Sequence, residues 1–174
     1  MLLNLKIFLD ILKFTKGPQD LPSRPNLLNI VIIANIIVGL IAIDPKIDYM
    51  VNMFFAVIYI IVTIFFIKIG LKVKEDSSLN NTKYKSRYFQ VCSGILGVHA
   101  LIAFMTSIIA LIIDPAEMLL MMLFLILSLY AWFVNGHIFK NAFDTTMTFG
   151  LGISLLHSIT CVFVMMIFIQ ILFI

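Results

Sequence analysis

The chain has 174 residues, of which 62% are apolar and 12% charged, with a mean hydropathy of +1.12. Soluble domains are about half apolar and about a quarter charged, so this sequence has too little polar surface to cover a water-facing globule. The net charge of +3 does not suggest a nucleic-acid binder. What the composition requires is an all-α integral membrane protein, and five spans of about 20 residues each leave no room for a soluble catalytic domain.

Residues 1–14 predict a short amphipathic helix with Lys6, Asp10 and Lys13 on one side. It lies either flat in the inner membrane interface or as a partly buried start to the bundle. Without a basic leader and a small-residue cleavage site it does not read as a cleaved signal peptide, and no lipidation motif is present. The segment GPQDLPSRP (17–25) holds three prolines and a glycine and is a rigid connector. Within the single membrane domain 1–174, residues 1–26 form the N-terminal segment and spans follow at about 27–43, 49–71, 91–113, 118–139 and 147–174. Tight turns holding Asp44-Pro45 and Asp114-Pro115 join the first and third pairs. A polar stretch from Lys72 to Gln90 separates spans two and three.

Eleven of the twelve lysines and arginines fall in the N-terminal segment, around the Lys72–Gln90 stretch or at Lys140; the other side has only Lys46. The positive-inside rule then predicts a cytoplasmic N-terminus and an outside C-terminus. That topology leaves the Asn80-Asn81-Thr82 sequon on the wrong side for glycosylation. Tyr49, Tyr84 and Tyr88 sit at expected headgroup levels. Ile43-Asp44-Pro45 recurs as Ile113-Asp114-Pro115, and Phe54 and Phe124 share the same offset. This is either an internal repeat, as in transporters, or the ordinary preference of Asp and Pro for turns.

No Asp, Glu or Arg lies well inside a span, and Lys68 is near enough to an end to snorkel. Pumps, voltage sensors and ion-coupled carriers usually need such charges, so no catalytic or ion-coupling site is expected. Polar residues inside the spans are the remaining candidates. His99 and His157 come at similar depth, and Cys161 shares a helix face with His157, as Cys92 does with His99. The pair reads either as a haem or metal site or as a packing contact, with no cofactor. His137 lies near an inner boundary. Ser93 and Gly97, Ala103 and Ser107, and Gly150, Ser154 and Ser158 are small residues that permit close helix approach. Asn29 and Asn35 in span one would be costly against lipid, so they are expected to face other helices or a partner, or for Asn29 the headgroups, which makes span one a candidate interaction face. The methionine pairs 121–122 and 165–166 read as adaptable packing.

The five-span layout, Gly17-Pro18 before the first span, and Ser86-Arg87-Tyr88-Phe89-Gln90 leading into Gly94 and Gly97 together resemble the bacterial Yip1-like membrane proteins. The resemblance implies a non-enzymatic protein of the bacterial inner membrane that binds a membrane-protein partner, or itself, or organises a complex. The residues leave a second reading open, a transporter or channel for a neutral or lipid-like solute, and a third, a redox protein using His99 and His157.

Overall fold

A computed structural model describes residues 2–41, 49–78, 83–112 and 117–173. The described residues are helical throughout, joined by short turns, and contain no strand. The helices are α1 (Leu2–Leu12), α2 (Pro25–Leu40), α3 (Tyr49–Asp76), α4 (Tyr88–Ile112), α5 (Glu117–Ala142) and α6 (Met147–Phe173). Single 3-10 turns at Pro18–Asp20 and Tyr84–Arg87 lead into α2 and α4. Both Ile-Asp-Pro corners and the sequon lie outside the described residues.

Four helices, α3 to α6, are long and apolar enough to cross a membrane. This fits an integral membrane protein. The first expected span is shorter than expected: α2 has 16 residues and covers about 24 Å at 1.5 Å per residue, against a hydrocarbon core of about 30 Å. Conversely, α3 continues to Asp76, five residues beyond the expected end at Leu71. The polar residues Lys72–Asp76 include good helix formers and follow a buried Leu71, so the helix extends into what reads as loop.

Among the described residues, burial is concentrated toward one end of the bundle. Around the basic end, Ile67, Leu71, Val91, Ile95, Leu96, Val134, Ile138 and Phe139 are fully buried. Toward the other end α5 is uncovered: Met118, Met121, Met122, Leu125, Ile126 and Leu129 are all exposed. So much outward-facing apolar surface is expected when the solvent is lipid. The basic end is cross-linked. Arg87 Nη1 bonds the Asn141 and Ala142 carbonyls and pairs with Asp144 at 2.9 Å. Gln90 Nε2 donates to the Gln19 and Leu21 carbonyls, and Ser23 Oγ to that of Ser86.

Helix α1 does not present a purely polar outer side. Ile7, Phe8, Ile11 and Leu12 are buried, whereas Leu5 and Leu9 are exposed beside Lys6 and Lys13. Phe8 fills the space above Gly97, where any Cβ would collide with its ring. The helix ends in a Schellman turn, with Thr15 N–H on the Asp10 carbonyl and Phe14 N–H on that of Ile11. Phe14 takes the left-handed conformation this requires, φ 60°, which costs a non-glycine residue about 1–2 kcal/mol. Its ring is held edge-on against Tyr130 and His137.

The most extensive helix contact is α5 on α6. Gly136 and Gly150 let the backbones meet, Trp132 Nε1 donates to the Leu151 carbonyl, and Ser154 Oγ donates to the Trp132 carbonyl. A Cβ at Gly150 would run into the Gly136 carbonyl oxygen and come within 2.8 Å of the Lys140 nitrogen, both backbone atoms. Gly150→Ala should therefore lower the thermal unfolding midpoint in detergent, at a cost of about 1–3 kcal/mol. Gly152→Ala is the control: nothing lies within 4 Å, and alanine is the better helix former, so its midpoint should not fall.

Candidate functional site

A buried amide in an apolar medium needs partners for all its hydrogen-bonding groups. Asn35, 3% exposed on α2, finds them on two helices. Its Nδ2 donates to the Val31 carbonyl at 2.8 Å and to the Leu96 carbonyl of α4 at 2.7 Å. Both amide hydrogens are thereby used, and Oδ1 is left as an acceptor. It lies 2.8 Å from His99 Nδ1, so that ring nitrogen must carry the hydrogen. In the neutral ring Nε2 then has a bare lone pair, and it has no partner among the described residues.

Tyr59 of α3 brings the two histidines together. Its ring stacks on His99 with centroids 4.0 Å apart and meets His157 edge-on at 5.9 Å. His157, 1% exposed, is held differently. Its Nε2 lies 3.0 Å from Thr63 Oγ1 and 3.5 Å from Cys161 Sγ, and Phe66 and Phe139 pack edge-on around the ring. The i, i+4 relation between His157 and Cys161 is borne out as a contact. His99 and His157 do not bond each other.

Both rings border a cavity of about 360 Å³ where the open half of the bundle begins. Its walls come from α3, α4, α5 and α6. Tyr59, His99, Thr106, Trp132, Asn135 and His157 contribute polar atoms, and Val98, Ile102, Phe124 and Leu127 apolar ones. Most of the polar wall has its hydrogen already committed: Thr106 Oγ1 donates to the Ile102 carbonyl, Ser158 Oγ to that of Ser154, and Trp132 to that of Leu151. Asn135 differs, because its Oδ1 is buried and without a hydrogen-bond partner. Asn135 Oδ1 and His99 Nε2 are thus acceptors with no bonded donor among the described residues, in side chains that border the cavity.

Several of the other sequence candidates pack within the chain. Gly150 and Ser154 join α6 to α5, Gly97 receives Phe8, and Ser93 is fully buried. Ser158 lies in the cavity wall. Asn29 is exposed near the start of α2. His137 Nε2 lies 2.9 Å from the Lys16 carbonyl and ties the connector to α5. Among the described residues no three His, Cys, Asp or Glu side chains cluster as metal ligands. Tyr59 touches both imidazoles, so a haem plane between them would have to displace its ring. Tyr59, Thr63 and Asn135 were not singled out from the sequence. Asn135 was findable by the argument applied to Asn35, since it too is an amide inside an apolar span.

No family model, curated protein or solved structure matches the chain.

The Asn35–His99 bond is testable by a double-mutant cycle. Interhelical hydrogen bonds in membranes average about 0.6 and reach about 1.7 kcal/mol. Asn35→Ala and His99→Phe should each destabilise, and the pair should be non-additive by an amount in that range. Strict additivity would show that the two side chains are not bonded.

Proposed function

We propose that this chain is a non-enzymatic, five-span membrane protein that binds a neutral, hydroxyl-bearing amphiphile between α3, α4, α5 and α6. The observation that carries the reading is that one mostly apolar cavity is bordered by Asn135, whose buried Oδ1 has no partner, and by His99, whose Nε2 the Asn35 bond leaves without a hydrogen. An acceptor without a donor is costly in such a medium, so the favoured guest brings O–H or N–H groups, no charge, and an apolar body for Phe124, Ile102 and Leu127. Lack of an intramembrane charge also favours a neutral guest. Movement of the guest through the membrane, as a carrier or channel would allow, is compatible with a cleft open at one end.

In this reading α2 is the fifth span, packed against α3 and α4 with Ile30, Ile33 and Ile37 facing lipid. The basic end faces the cytoplasm by the positive-inside rule, and the mixed outer face of α1 lies at the headgroups. The layout resembles that of the bacterial Yip1-like proteins, which suggests a bacterial inner membrane. A scaffold built through Gly150, Ser154 and Asn35 has less support, because those residues contact other helices of their own chain.

The test is purification from native membranes into nanodiscs, followed by extraction and mass analysis of what is retained. One hydroxyl-bearing apolar compound near one per chain is expected. His99→Phe removes one acceptor and should weaken retention about tenfold, the worth of one buried hydrogen bond. Ser128→Phe, which projects a ring into the cleft wall, should lower retention without loss of fold. A chain free of any such compound, recovered instead with a stoichiometric protein partner, would contradict the reading and restore the scaffold.

A further inference from the structure

A second cavity, of about 490 Å³, opens at the basic end between α3 and the start of α4. Three lysines border it, Lys68, Lys72 and Lys85. Lys85 is neutralised: its Nζ lies 3.1 Å from Glu75 Oε1, and its backbone N–H donates to Glu75 Oε2 at 2.8 Å. Two neighbouring cations are also occupied, since Lys74 and Arg87 lie over the Tyr84 ring and Arg87 pairs with Asp144. Lys68 and Lys72 make no ion pair among the described residues, even with Asp76 one turn on from Lys72. They are one helical turn apart on the same face of α3 and place two uncompensated positive charges on one wall.

The remaining wall is Leu71, Tyr88 and Phe89 together with Ser23 and Ser86, whose hydroxyls already donate to the Ser86 and Lys83 carbonyls. Its apolar part continues down α3 as an exposed strip: Ile69, Phe65 and Ile61 are 60%, 58% and 49% exposed on the turns below Lys72. A small inorganic anion would use only the lysines. A molecule with an anionic phosphate head and an apolar chain would use the lysines and the strip together.

We infer that this cavity is a binding site for an anionic phospholipid, with its phosphate between Lys68 and Lys72 and an acyl chain along Phe65 and Ile61. The inference does not depend on the guest of the deeper cleft. Snorkelling lysines above an apolar helix face are suited to this role.

The test uses the full chain in neutral detergent, with native mass spectrometry after addition of phosphatidylglycerol, phosphatidylcholine or inorganic phosphate. Phosphatidylglycerol should be retained at one per chain in preference to phosphatidylcholine, and millimolar inorganic phosphate should not displace it. Lys68→Gln with Lys72→Gln should weaken retention about thirtyfold, roughly fivefold for each basic residue near an anionic headgroup. Lys6→Gln with Lys13→Gln removes the same charge from exposed positions on α1 and should change it less than about twofold. If the glutamine pair fails to fold, Lys68→Arg with Lys72→Arg must keep the preference. Equal losses in both glutamine pairs would overturn the site in favour of diffuse attraction. Displacement by inorganic phosphate would overturn the lipid in favour of a simple anion site, and loss of the preference in the arginine pair would also reject it.

Discussion

The Asn35 amide is the contact on which the organisation of the apolar interior depends. It spans α2 and α4 through the Leu96 carbonyl, and its remaining oxygen fixes which nitrogen of His99 carries a hydrogen. Water cannot correct an unmet polar group at this depth, so each one must be answered by another side chain or backbone atom. His157 is answered by Thr63 and Cys161, Trp132 by Leu151 and Ser154 by Trp132. Most polar groups here are answered and the helices close over them; Asn135 Oδ1 and His99 Nε2 are not, and both residues border the cavity, while Ser93 Oγ is buried without a partner away from it.

That distribution explains the shape. At the basic end, small residues on α5 and α6 bring backbones together, and Arg87, Gln90 and Ser23 tie the connectors across helix ends. At the other end α5 exposes methionines and leucines. In the proposed function a guest would enter there, where the described side chains of α5 are least buried.

Much of the fold was legible from hydropathy alone. The four long helices follow from apolar runs that only lipid can accommodate, and the helical register placed Cys161 beside His157. The length of α2 was not legible: apolar residues from Leu27 to Ile43 read as one span, yet the helix stops at Leu40. The end of α3 was misread for the opposite reason, since Lys72–Asp76 are polar but remain helical above a buried Leu71. At the site, the sequence pointed to Asn35, His99 and His157 because polar groups in apolar runs are conspicuous. It could not pair them. Pairing depends on which faces of separate helices meet, and one sequence holds no trace of the Tyr59 ring lying against both imidazoles. Thr63 gave no signal, because a threonine can satisfy itself on its own helix.

The proposed function requires that His99 keep its hydrogen on Nδ1 and present a bare Nε2 to the cavity. Nitrogen NMR of the protein with 15N-labelled histidine in nanodiscs measures this directly, with His99→Phe assigning the signals. A neutral His99 ring protonated at Nδ1 is expected, with that preference lost in Asn35→Ala. A hydrogen on Nε2, or a tautomer indifferent to Asn35, would contradict it.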